Sequence, residues 1–109
     1  MARNHYAVLG LGSFGAKLAV ALARAGNTVL VVDIVQQRVD DLRDKVTEAI
    51  IADVSNEEVV RELNVRKFDA VILGMSSHFE DQVLALTLLK QEGVRKVIVK
   101  ANTTIQERI

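Results

Sequence analysis

The sequence of 109 residues predicts an α/β fold, a doubly wound parallel sheet with helices on both faces, and three observations carry the prediction. Five short apolar runs read as buried strands, stretches with helical spacing separate them in strict alternation, and the connections are only a few residues long. Right-handed crossovers then order the strands into one parallel sheet. The length is that of one domain, here residues 1–109, because domains typically run to about 100–150 residues.

The first run, Tyr6 to Leu9, ends at Gly10. Phe14, Leu18, Leu22 and Ala25 follow at the spacing of one helix face, and Gly26 stops that helix. Thr28 to Val32 is a β-branched strand ending at Asp33. Val35, Val39, Leu42 and Val46 form the stripe of a second helix, with charged Arg38, Asp40, Asp41 and Arg43 on the opposite side. Ala49 to Ala52 is the third strand. Ser55-Asn56-Glu57-Glu58 has the form of a capping box, in which the serine hydroxyl and a glutamate satisfy orphan amides at the start of a third helix carrying Val59, Val60 and Leu63. Ala70 to Leu73 and Val97 to Val99 are the fourth and fifth strands.

Between them, from about Phe79 to Glu92, lies a fourth helix in which six of the seven residues from Val83 to Leu89 are apolar. A helix apolar nearly all round requires cover on both sides, and the sheet supplies only one. A subunit or lobe interface is one reading. The other makes Thr87, Lys90, Gln91 and Glu92 a solvated face on a helix that is simply very apolar. The segment Thr103 to Ile109 reads as the beginning of a further helix, which predicts a longer natural chain.

Composition bounds the function. Half the residues are hydrophobic and 26% are charged, which fits a folded domain and not a disordered one. Fourteen basic residues balance fourteen acidic ones, so the electrostatic footprint of a nucleic-acid or anionic-membrane binder is absent. Any bound anion must be caught locally. Cysteine is absent, which removes disulfides and thiolate metal sites and fits a reducing compartment. The apolar start is interrupted by glycines and Lys17, unlike a signal peptide, and no run approaches the roughly 20 apolar residues of a membrane span.

Gly10-Leu11-Gly12-Ser13-Phe14-Gly15 is a GxGxxG motif placed after a strand and at the opening of a helix, the context of a Rossmann-type dinucleotide site. Gly10 permits the tight turn, Gly12 the approach of a pyrophosphate, and Gly15 close packing of helix on strand, while the amides at the helix start, Ser13 and Phe14 included, face the phosphates. Asp33 lies 18 residues beyond Gly15, where a carboxylate accepts hydrogen bonds from the adenosine ribose and disfavours a 2′-phosphate. A capping role before Val35 is the alternative. Asp53, ending the third strand, meets either the adenine edge or its own turn before Ser55. Lys100 neutralises a phosphate or projects into solvent. A Walker A loop is excluded, because Ala16 and Lys17 follow Gly15.

Catalytic equipment is thin. His5 reads as a surface residue. His78, with Ser76 and Ser77 after the fourth strand, is the sole acid–base candidate, and no catalytic residue or metal site is assigned.

GLGSFG, VVDIVQQRV, IIADVSNEE, VILGM and VIVKANT, in that order, resemble the nucleotide-binding N-terminal lobe of the RCK (KTN, or TrkA-N) family over almost the whole chain. Members regulate potassium channels and Trk/Ktr-type potassium uptake systems from the cytoplasm. The resemblance implies a non-catalytic sensor of NAD(H) or ATP/ADP. Gly10, Gly12, Ser13, Phe14, Gly15 and Asp33 would hold the adenine nucleotide, with Asp53 beside the base and Lys100 toward a phosphate. It also implies a homo-oligomer, a dimer or an octameric ring, docked on a membrane potassium-translocating subunit, with no nucleic acid and no direct membrane insertion. Ser13 stands where many members carry an arginine that helps with terminal phosphates, which weighs against a preference for ATP. Members usually continue into a C-terminal ligand lobe that transmits gating. The competing functions are the cofactor lobe of an NAD-dependent oxidoreductase and a methyltransferase using S-adenosylmethionine.

Overall fold

A computed structural model describes residues 3–75 and 79–100. Five parallel strands, β1 (His5–Leu9), β2 (Thr28–Asp33), β3 (Glu48–Ile51), β4 (Ala70–Leu73) and β5 (Val97–Val99), form one sheet in the order β3-β2-β1-β4-β5. Helices α1 (Ser13–Arg24), α2 (Gln36–Leu42), α3 (Glu57–Leu63) and α4 (Phe79–Gln91) alternate with them. This is the Rossmann arrangement. The chain winds outward from β1 through β2 to β3, then crosses back beneath the sheet to place β4 on the other side of β1. The strand order therefore reverses at the β1/β4 boundary, where open α/β sheets leave a crevice at their carboxyl edge.

The two faces are read directly from strand alternation. Ala7, Leu9, Leu30, Val32, Val71 and Leu73 point to one side and pack with Val60, Leu63, Val65, Phe68, Ala85 and Leu89 from α3, the following turn and α4. Val8, Val29, Val31 and Ile72 point to the other and meet Ala19, Val39 and Leu42 from α1 and α2. Because both faces are covered, β2 and β4 are apolar runs and not alternating ones, as buried parallel strands must be.

Several elements differ from expectation, each for a physical reason. On α1 the fully buried positions are Gly15 and Ala19, while Phe14, Leu18 and Leu22 are only partly buried and flank the contact. Small residues sit at the centre because the helix approaches the strand backbone closely there. Helix α2 stops at Leu42, leaving Val35 exposed as its N-cap and Val46 beyond its end. The expected capping box takes a different form: Asn56 is the cap, its side-chain oxygen accepting from the Glu58 amide at 2.9 Å. Ser55 is engaged elsewhere. A short 3-10 turn, Val65–Lys67, follows left-handed Asn64 and was not foreseen, being too brief for any periodicity.

Helix α4 buries Ala85, Leu88 and Leu89, whereas Val83 and Leu84 remain exposed. Its apolar surface is thus split between the sheet and the outside. His78, Ser76, Ser77 and the segment from Thr103 to Ile109 lie outside the described residues.

At the switch point three glycines stack. Gly10 has φ +95°, and a Cβ added there would stand 2.8 Å from the Met75 amide nitrogen and 2.9 Å from its Cα. A Cβ on Gly15 would strike the Gly10 carbonyl oxygen. Gly74, at the end of β4, closes the stack: its Cβ would lie 2.6 Å from that same oxygen and 2.7 Å from Gly15 Cα. At Gly10 the Met75 side chain is also met, but the neighbours of Gly15 and Gly74 are backbone atoms that cannot swing away. Gly74→Ala should therefore lower stability by about 1–3 kcal/mol or more through overpacking, read as a lower denaturation midpoint at unchanged m-value. A midpoint equal to the wild type would show that α1 can shift away from the sheet without loss.

Candidate functional site

The carboxyl edge of the sheet opens into a cleft of about 450 Å³ bounded by four loops. That is within the range of about 300–1,000 Å³ typical of small-molecule sites. Gly10, Leu11 and Gly12 form its floor, and Asp33, Ile34, Val35 and Arg38 one wall. Ala52 to Ser55 form a second wall, and Met75 and Asp81 close the side nearest α4. The parallel ladder continues to this edge through Gly10 N to Val32 O at 2.8 Å, Gly74 N to Leu9 O at 2.9 Å and Ala52 N to Asp33 O at 3.1 Å. Rigid sheet thus positions every loop.

Gly12 is the N-cap of α1, and no side chain caps that helix start. Its first turn also carries no acidic residue. The orphan amides of the first turn consequently lack a side-chain cap, at the positive end of the helix dipole and next to Gly12, which lines the cleft.

Asp33 is the buried charge of the site, its side chain only 6% exposed. Its Oδ2 accepts the Leu11 amide at 2.6 Å, and its Oδ1 accepts the Val35 amide at 2.8 Å. One carboxylate thereby ties the glycine turn to the end of β2 and to the entry of α2. Arg38 lies beside it, Nη1 standing 3.7 Å from Oδ2, with nearly half the arginine side chain exposed. The charge pattern of α2 had placed Arg38 on the solvent side. In the structure it turns back to the cleft wall.

Asp53 is exposed at the opposite wall. Its Oδ1 accepts both the Ser55 hydroxyl at 2.6 Å and the Ser55 amide at 2.9 Å. The hydroxyl bond first, and the amide bond second, hold this carboxyl below its ordinary value of 3.8, against a smaller opposing effect of burial. The Ser55 hydroxyl thus donates to Asp53, while the cap of α3 is supplied by Asn56.

Of the eight residues expected at the site, Gly10, Gly12, Asp33 and Asp53 line the cleft. Gly15 is buried beneath it as packing. Ser13 is exposed at the first turn of α1, and Phe14, beside it, is partly buried. Lys100 places its Nζ 5.2 Å from the centre of the Phe14 ring, so it stands by the start of α1 rather than in the cleft lining. Residues not anticipated are Gly74, Met75, Arg38 and Asp81. Gly74 had a detectable signal, since a glycine ending a buried strand opposite GxGxxG marks a close crossing; the others depend on how loops fold over the edge.

A model of the TrkA-N domain matches residues 6–109. The chain belongs to the TrkA-N domain family. It is 38% identical over 106 residues to the Ktr system potassium uptake protein A of Vibrio alginolyticus, covering 97% of this chain and 48% of that protein. It is 32% identical over 107 residues to the Ktr system potassium uptake protein C of Bacillus subtilis, covering 98% and 48%. The chain spans about half the length of the curated relatives it matches. Among solved structures, the NAD(P)-binding domain of an exopolyphosphatase-related protein from Archaeoglobus fulgidus superposes with a TM-score of 0.81 at 28% identity, over 97% of this chain and 79% of that one.

Two predictions follow from the bonding of the two carboxylates. Asp33→Asn keeps the shape but replaces one acceptor oxygen by an amide nitrogen that must face a backbone N–H, leaving a buried donor unpaired. It should cost about 1–3 kcal/mol in chemical denaturation, and retention of full stability would contradict the tie. For Asp53, a folded value depressed below 3.8 means that its contribution to stability is complete above that pH and is lost as pH falls through the folded value. Ser55→Ala should move the Asp53 titration up toward 3.8, seen in its carboxyl carbon NMR shift, and lower stability above that pH, the difference from the wild type shrinking as pH falls through the acid range. An unmoved titration would assign the depression to another cause.

Proposed function

We propose that the chain is the nucleotide-binding regulatory domain of a potassium uptake system, with NAD(H) or ATP/ADP as its regulatory ligand. The carrying observation is the uncapped start of α1 opening onto a cleft at the strand-order reversal. Membership of the TrkA-N family, the Ktr relatives and the likeness to an NAD(P)-binding domain support the same reading.

In this proposal a diphosphate lies against Gly12 and the amides of Ser13, Phe14 and Gly15, where the helix dipole favours negative charge. The ribose sits by Asp33, whose carboxylate oxygens retain acceptor capacity after two amide bonds. The base enters between exposed Ile34 and the Asp53 wall. Lys100, held over Phe14, adds a positive charge near the terminal phosphate. Binding draws the Gly10–Gly12 turn, the β2–α2 wall and the β3–α3 wall onto one ligand, and a packing of subunits that favours the closed arrangement is favoured by ligand in return.

The protein acts as a homo-oligomer at the cytoplasmic side of the membrane, against a membrane potassium-translocating subunit. The exposed Val83 and Leu84 of α4 supply apolar surface for such an assembly. No helix among the described residues is long and apolar enough to cross a membrane. The role is regulatory and not catalytic. A cofactor lobe of an oxidoreductase is the second reading, favoured by the superposition on an NAD(P)-binding domain, and NADH oxidation with carbonyl substrates would raise it above the first.

Thermal unfolding with NAD, NADH, ATP and ADP tests the proposal. A ligand at about 100 times its Kd stabilises by about 2.7 kcal/mol, so binders separate clearly from non-binders. Ser13→Asp puts a carboxylate at the first exposed position of α1. It favours the helix start while repelling a phosphate, so it should preserve the unliganded melting temperature and abolish the ligand-induced rise. A rise that survives the substitution would place the phosphates elsewhere.

A further inference from the structure

Helix α4 reaches back to the switch point through the side chain of Gln82. This glutamine is partly buried, and its Nε2 donates to the Met75 carbonyl at 3.0 Å, across seven residues of sequence. A glutamine near the start of a helix ordinarily extends into water, so turning it inward sacrifices rotamer freedom that the bond to the end of β4 must offset. Met75 in turn stands directly against Gly10, where an added Cβ would meet both its side chain and its backbone. Met75 and Asp81, the residue before Gln82, line the cleft together with Gly10 and Gly12. The glycine turn, the end of β4 and the start of α4 are thus joined by consecutive contacts.

The body of α4 is held differently. Ala85, Leu88 and Leu89 are buried in the core, whereas Val83 and Leu84, next after Gln82, are each 45% exposed. The Thr87 hydroxyl donates to the Val83 carbonyl at 2.8 Å, a back-bond that weakens and bends helices because it competes with the backbone ladder. Between the Gln82 tie and the anchored residues therefore lies a turn with exposed apolar side chains and a shared carbonyl.

We infer that the Gln82–Met75 bond is the joint through which occupancy of the cleft steadies the first turns of α4, and so fixes how Val83 and Leu84 are presented. The inference rests on the nucleotide reading of the cleft and adds to it the residue by which a bound ligand acts beyond the site. Gln82 is not in the cleft lining and serves as a positioning residue. A diphosphate seated against Gly10 and Gly12 restrains Met75, Met75 restrains the Gln82 amide, and local opening of α4 becomes rarer. Coupling of this kind needs one element with two arrangements that the ligand distinguishes, here the start of α4 tied or released.

Amide hydrogen exchange reads local opening, and it tests this with and without NADH or ADP at about ten times the Kd measured by calorimetry. In the wild type, a nucleotide that binds should slow exchange of the amides from Val83 to Thr87 by about fivefold or more, the lower end of ordinary coupling between sites. Gln82→Leu keeps the bulk and removes the donor. It should bind the same nucleotide within about threefold of the wild type and still protect the glycine-turn amides, while the slowing in α4 falls below about twofold. Gln82→Lys, which restores a donor of similar reach, should recover most of the slowing. A slowing in α4 as large in Gln82→Leu as in the wild type overturns the inference, and so does wild-type protection that stops at the glycine turn. Loss of glycine-turn protection together with α4 protection in Gln82→Leu also overturns it, since Gln82 would then support the cleft itself. If neither nucleotide binds the wild type, the cleft reading fails as well. Unchanged exchange in β1 and β2 without ligand separates a lost joint from a lost fold.

Discussion

The close passage of Gly10, Gly15 and Gly74 is the constraint on which the site depends. Helix α1 must begin directly above the carboxyl ends of β1 and β4, and backbone meets backbone there with no space for a methyl group. That contact fixes where α1 starts relative to the sheet edge, with its N-cap Gly12 in the lining of the cleft. It also forces Gly10 into a positive φ, which turns the chain sharply enough for Gly12 to be the cap. A larger residue in the stack would lift the helix and move the amides from the cleft.

Asp33 completes the same construction from the β2 side. A buried carboxylate is costly unless its charge is met, and here two backbone amides and a flanking guanidinium meet it. The carboxylate thus has a structural duty that persists with the cleft empty. This changes how an acidic residue at the end of the second strand is interpreted, because its presence is explained by loop geometry before any ligand is considered.

The far side of the molecule presents a different chemistry. Val83 and Leu84 on α4, and Ile98 and Val99 on the edge strand β5, leave apolar side chains exposed away from the cleft. Helix α4 is joined to the site through its start, where the Gln82 side chain donates to the Met75 carbonyl at 3.0 Å, and Met75 packs on Gly10. Under the proposed function this is the physical route between ligand and assembly: a change at the glycine turn reaches α4 through Met75.

Strand identity, the parallel alternation and the position of the glycine turn were all legible in the residues, because buried parallel strands must be continuous apolar runs and a turn onto a helix start demands glycine. Asp33 could also be placed, at the end of β2, from spacing alone. Tertiary structure decided which atoms meet. That Gly15 and Ala19, and not Phe14 and Leu18, centre the contact of α1 depends on how near the helix lies to the sheet. That Ser55 serves Asp53 and leaves the cap to Asn56 depends on loop torsions within three residues of one another. That Arg38 faces the cleft, and that Gly74 arrives beneath Gly15 from 59 residues away, depend on chain segments remote in sequence. Periodicity records how much of each residue is buried; it carries no information on which distant backbone or charge will be its neighbour.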